Sequence, residues 1–120
     1  MTALEAIART DALHTNAYSR EEKLRWLAEL DWAVKLTVLD RHCGEPAPEP
    51  DAGSEDRELL VDTPFESIYI HYLTAQICYH DALWEDYNAA NARFREVWDR
   101  FAGHHTRTHM PRAVLRRFLF

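Results

Sequence analysis

Apolar residues recur every three or four positions in two segments near the start of the chain, a spacing typical of amphipathic helices. The first segment covers residues 3–13 and the second covers residues 20–42. Ser19 and Glu22 form a capping box at the start of the second segment, in which the serine hydroxyl accepts a hydrogen bond from a free backbone N–H. Gly44 then provides a C-terminal stop. The pattern therefore predicts a short helix followed by a long one.

A third apolar pattern runs from residue 65 to residue 101 without Gly or Pro. At its start, Thr63 is the expected N-cap, with Pro64 and Glu66 as the first and third helical residues. Its helical seam consists of Ile70, Leu73, Ile77, His80, Trp84, Tyr87, Asn91, Phe94, Trp98 and Phe101. We expect Trp84, Phe94 and Trp98 to face inward. A single helix of this length is long for a small domain. We therefore expect a turn near residues 80–81, with Asp81 as a new N-cap, although the unbroken seam leaves one continuous helix open.

Two segments lack a helical pattern. Residues 44–60 contain alternating prolines and several acids, which predicts an exposed, acidic, mobile loop. Gly103 ends the third apolar pattern, and residues 104–120 then contain Pro111 and finish in three large apolar side chains. The sequence predicts an all-α fold. We expect a bundle of three to four helices in a body of residues 1–103 with the loop at 44–60, and an extended basic and apolar C-terminal arm at 104–120.

Composition and charge narrow the class of protein. The chain has 120 residues, of which 47% are hydrophobic and 28% charged, as in one soluble globular domain. It has no apolar run long enough for a membrane span, and Glu5 lies where a secretory signal would be apolar. The net charge is −6, but residues 100–120 hold five arginines and no acid, whereas residues 1–99 hold 9 basic and 20 acidic groups. This basic segment could bind a partner, or it could fold back onto its own acidic body.

Candidate catalytic and metal-binding residues are few. His104, His105 and His109 lie close together, as do Cys78 and His80, but neither group has the spacing of a closed zinc site. His80 is expected to be a buried, hydrogen-bonded residue of the seam or to mark a turn. The two cysteines are expected to be reduced. No nucleophile elbow or phosphate-binding glycine loop is present. We expect no enzyme activity, no metal and no cofactor, while a metal-dependent enzyme remains an alternative.

The aromatic content favours a protein-binding role. Four Trp, five Tyr and five Phe exceed what a small helical domain can bury, and exposed aromatics and arginines are enriched at protein contacts. The C-terminal arm combines both features. Its expected partner-binding residues are Arg107, Arg112, Val114, Leu115, Arg116, Arg117, Phe118, Leu119 and Phe120.

Several stretches resemble the head–tail connector (adaptor) proteins of tailed bacteriophages and prophages. The similar residues lie at 21–31, 58–61, 64–65, 69, 72–73, 87–88, 94 and 107–111, so the resemblance covers about residues 20–111. It implies a mainly helical, non-enzymatic structural subunit, assembled in the host cytoplasm and located in the virion neck. Such proteins form a ring of about a dozen copies beneath the portal and use a terminal arm to grip neighbours or the portal.

The resemblance also implies the partners. They are further copies of the chain, the portal protein and a downstream tail or stopper protein, with no membrane involved. DNA would pass through the ring lumen without specific binding, which suits an acidic body because carboxylates repel phosphates. The alternative is a small helical nucleic-acid-binding or regulatory protein whose Arg-rich C-terminal tail meets phosphates.

Overall fold

The computed structural model describes residues 1–42 and 44–109. Within these residues the chain is all-α, as predicted, and the structure has four α-helices, one short 3₁₀ helix and no β-strand. The helices are α1 (Ala3–Leu13), α2 (Arg20–Thr37), α3 (Ser67–His80) and α4 (Trp84–Thr108), with the 3₁₀ helix at Leu39–Arg41.

The first two helices begin where the local sequence predicts. The Thr2 hydroxyl accepts from the Glu5 N–H at 3.2 Å at the start of α1, and Ser19 Oγ accepts from the Glu22 N–H at 3.2 Å at the start of α2. The predicted cap at Ser19 is therefore confirmed. The predicted end of α2 at residue 42 is wrong, because the chain tightens after Thr37 into the 3₁₀ turn. Such turns are common at helix ends, where they satisfy the last free carbonyls.

The predicted cap at Thr63 is wrong. Residues 62–65 form a turn in which the Phe65 N–H donates to the Asp62 carbonyl at 2.9 Å, and the Thr63–Pro64 peptide bond is cis. Glu66 is the N-cap of α3 without a side-chain cap bond, and its carboxylate lies 3.5 Å from the Met1 ammonium group. Glu66, which the local pattern assigned to the first turn of the helix, thus forms a long-range ion pair with Met1 instead.

Helices α3 and α4 form a hairpin, which confirms the predicted turn near residues 80–81. Asp81 is not the N-cap of α4, however, because Leu83 occupies that position. The Asp81 carboxylate instead accepts from the Tyr18 hydroxyl at 2.6 Å. Ala82 reverses the chain direction with a φ of 57°, a left-handed conformation that usually favours glycine. The helix also continues past Gly103 to Thr108, so the first residues assigned to an extended arm are helical.

The apolar core lies where α1, α2 and α3 meet, and α4 packs mainly against α3. Fully buried side chains include Leu27, Val34, Val61, Ile68, Tyr69, Leu73 and Ile77. Helix α4 contributes Val97 and Phe101, while Phe94 and Trp98 are partly buried against the core. Trp84 is 55% exposed, so its predicted inward position is wrong. The outline is elongated, with extents of 53 × 30 × 21 Å, and residues 81–86 at the start of α4 are exposed.

The predicted loop at 44–60 is attached to the helices at both ends. Lys35 Nζ donates to the Ala47 carbonyl at 2.8 Å near its start. Near its end, the backbone pairs with the N-terminus, because the Ala3 N–H donates to the Arg57 carbonyl and the Leu59 N–H donates to the Met1 carbonyl, both at 3.0 Å. Leu59 is buried. The prolines and acids between these anchors are largely exposed, as expected, but the loop is not free along its length.

Candidate functional site: an acidic aromatic groove

Of the nine predicted partner-binding residues, one lies within the described part of the chain and eight lie outside it. Arg107 lies exposed on the last turn of α4 rather than in an extended arm. The remaining eight lie outside the described residues: Arg112, Val114, Leu115, Arg116, Arg117, Phe118, Leu119 and Phe120.

A groove of about 450 Å³ runs between α2, α3 and α4. We call it the aromatic groove, and it is lined by Glu29, Leu30, Ala33, Tyr72, Phe94, Arg95, Trp98 and Asp99. The Phe94 ring lies 5.4 Å from the Tyr72 ring and 6.1 Å from the Trp98 ring, between ring centroids. These three side chains are each only partly buried. The groove therefore presents a row of aromatic surface that the core does not cover.

Charged side chains surround this apolar surface. Glu29 and Asp99 supply two exposed carboxylates, and Arg95 supplies one cation. Burial, followed by the nearby Glu29 carboxylate, raises the pKa of Tyr72. The rim is thus net acidic, and the groove suits a ligand that combines apolar side chains with positive charge.

A second aromatic surface lies at the α3–α4 turn. We call it the tip patch, and it consists of Tyr79, Leu83, Trp84 and Tyr87. The Tyr79 ring lies 5.7 Å from the Trp84 ring and 5.6 Å from the Tyr87 ring. Tyr79, Leu83 and Trp84 are 50%, 42% and 55% exposed. Large exposed side chains clustered in this way are typical of protein contacts.

A buried polar network, missed by the sequence analysis, joins α2, α3 and the long loop. Tyr69 Oη donates to Asp31 Oδ1 at 2.6 Å and accepts from the Val61 N–H at 2.7 Å. Arg57 donates to the other oxygen of Asp31 at 2.5 Å. Burial raises the pKa of Asp31, and the hydrogen bonds from Tyr69 and Arg57 oppose that rise.

The position of Asp31 on α2 was the available signal for this network. The residue falls among Leu27, Leu30 and Val34 on the apolar side of the helix, where a carboxylate must have partners. Asp31 and Tyr69 are fully buried, so a substrate has no access to them. The hydrogen bonds of this network hold the long loop against α2 and α3.

Three histidines cluster between the end of the 3₁₀ helix and the end of α4. The His105 ring lies 4.6 Å from the His42 ring and 3.8 Å from the His109 ring. Burial, with smaller contributions from the neighbouring histidines, lowers the pKa of His105 to about 4. Within residues 1–42 and 44–109, no group of three or more His, Cys, Asp or Glu side chains is arranged to hold a metal ion.

The other candidate metal-binding pair, Cys78 and His80, consists of one buried and one exposed side chain. The Cys78 thiol is buried, and burial raises its pKa. His80 is exposed at the end of α3, where its ring stacks on Trp26 at 5.3 Å. The first expectation for His80, a buried position in the seam, is therefore wrong. The second expectation is confirmed, because His80 lies at the turn between α3 and α4.

Comparisons with known proteins identify no relative. No family model matches the chain, and no curated protein or solved structure matches it significantly. Among the described helices, none has both the length and the apolar character required to cross a membrane.

Proposed function

We propose that this chain is a structural head–tail connector (adaptor) subunit of a tailed bacteriophage, without enzymatic turnover. It assembles as a ring of about a dozen copies beneath the portal and links the capsid to the tail. In this proposal the helices form a bundle, and the residues after α4 form the arm that binds a neighbouring copy or the portal protein. The chain acts in the virion neck after assembly in the host cytoplasm.

The observation that carries the proposal is the presence of two separate aromatic surfaces on one small all-α chain. The aromatic groove lies between α2, α3 and α4, and the tip patch lies at the far end of the α3–α4 hairpin. Ring contacts are heterologous, so each subunit needs two different contact surfaces. The sequence resemblance to adaptor proteins supports the same assignment.

The charge distribution fits the proposed place in the virion. Residues 1–99 carry 9 basic and 20 acidic groups, a net charge of −11, so the body of the subunit would repel DNA passing through the lumen. Residues 100–120 contain five arginines and no acid, a charge that suits acidic surfaces of the portal or of a downstream tail or stopper protein.

Deletion of residues 112–120 tests the proposal. We expect the truncated chain to keep its helical circular dichroism with its melting temperature little changed, and to lose ring formation or binding to a cognate portal protein. Particle masses of the chain alone and mixed with that portal protein provide the measurement. Normal assembly by the truncated chain would refute the arm mechanism. Tight, salt-dependent binding of duplex DNA by the full chain would instead favour the nucleic-acid-binding alternative.

A further inference from the structure

We propose that the aromatic groove binds the C-terminal segment, residues 110–120, of its own chain. This docking goes beyond the proposed function, because it concerns the isolated subunit and needs no phage partner. In the context of the proposed function, it would keep the arm on its own subunit until a neighbour or the portal takes it.

The groove and the segment are chemically complementary. The groove combines the partly buried rings of Tyr72, Phe94 and Trp98 with the carboxylates of Glu29 and Asp99. Residues 110–120 contain three arginines and no acid, and they end in Phe118, Leu119 and Phe120. Within the described residues, neither Glu29 nor Asp99 forms a salt bridge. Both are therefore available to arginines of the segment.

The segment is long enough to reach the groove but too short to reach the tip patch. Along α4, Trp98 lies about 16 Å before His109 and Trp84 about 37 Å before it, at 1.5 Å per residue. Phe118 follows His109 by nine residues, which span at most about 30 Å when extended. Phe118 can therefore turn back onto Trp98, whereas Trp84 is beyond its range.

Because the segment is attached close to the groove, it is expected to bind the groove of its own chain rather than that of a second copy. A short connection gives a tethered segment an effective concentration on the order of millimolar. At low micromolar protein, the intramolecular contact is then favoured by about a hundredfold or more. A neighbour or the portal can displace the segment only where assembly raises the local concentration or adds further contacts.

Photo-crosslinking of the full chain tests the proposal. The variant Phe118→p-benzoylphenylalanine is irradiated at low micromolar concentration, and the products are separated by mass and mapped by peptide sequencing. We expect a product of monomer mass in which residue 118 is joined to groove residues, chiefly Phe94 or Trp98. In the same variant, Glu29→Lys with Asp99→Lys should reduce the yield roughly fivefold, because two attractive charge pairs become repulsive.

A matched charge change beside the tip patch, in the first turn of α4, is the control. Glu85→Lys with Asp86→Lys alters the charge of the chain equally and should leave the yield unchanged. Cross-links only in dimers, cross-links outside the groove, or no cross-links would each overturn intramolecular docking. Portal binding by the unmodified chain is measured separately, so loss of the docking result with portal binding intact would leave the proposed function standing.

Discussion

Replacing Tyr69 with Phe removes one hydroxyl group from the buried network between α2, α3 and the long loop. That hydroxyl donates to Asp31 Oδ1 at 2.6 Å and accepts from the Val61 N–H at 2.7 Å, and all three residues are fully buried. The variant leaves the Val61 N–H without an acceptor, which costs about 1–3 kcal/mol for a buried donor. It also removes a hydrogen bond to a carboxylate, worth about 1.5–3 kcal/mol. Because the two effects overlap, we expect the free energy of unfolding to fall by about 2–4 kcal/mol.

Urea unfolding followed by far-UV circular dichroism measures this loss, and the slope with urea should stay unchanged because the exposed surface is the same. Tyr79→Phe is the matched control. Its ring is 50% exposed in the tip patch, so the change should stay within about 0.5 kcal/mol. Combining Tyr69→Phe with Asp31→Asn should cost less than the sum of the single changes, because both variants disrupt the same hydrogen bond. If Tyr69→Phe is no more harmful than Tyr79→Phe, the network does not stabilise the fold as we describe.

Three further predictions concern local features. Ser19→Ala should lower the free energy of unfolding by about 0.5–2 kcal/mol, because it removes the N-cap bond to Glu22, and an unchanged thermal melt would place the helix start elsewhere. Ala82→Gly should raise stability by about 0.5–1 kcal/mol, because glycine adopts the observed φ of 57° without steric cost; a loss in urea unfolding would contradict this. The pKa of His105 is about 4, below its ordinary value of 6.5, so between these pH values the unfolded chain binds a proton that the folded chain does not. Stability should therefore fall as the pH drops from 6.5 to 4, and His105→Phe should reduce this loss in melts recorded across that range.

The local sequence was sufficient for the features that depend on neighbouring residues. The start of α2 needs only Ser19 and Glu22, three positions apart, and α1 has the predicted bounds. The turn between α3 and α4 was also expected from the length of the apolar pattern. The capping bond joins residues three positions apart, and the turn follows from the length of one continuous pattern, so neither prediction needs contacts between distant parts of the chain.

Both predicted N-caps whose residues have distant partners, the cap at Thr63 and the cap at Asp81, were wrong. The cap residues at 63–66 match the usual pattern, but Glu66 pairs with the Met1 ammonium group and Phe65 packs against Phe101. Asp81 could cap α4, yet its carboxylate binds the Tyr18 hydroxyl, 63 residues away. Local propensity is worth about 1 kcal/mol at a cap, so a long-range contact of similar strength can override it.

The sequence by itself determined that the chain is all-α, where its first two helices begin, and that its aromatic residues are too many for the core. Only the tertiary structure decided which of those aromatics remain exposed. Trp84 lies at the start of α4, where residues 81–86 are exposed, and the aromatic groove exists because residues of α2, α3 and α4 line one cavity. Helical periodicity specifies which residues share one face of a helix, but the position of that face relative to another helix depends on packing between residues far apart in the chain.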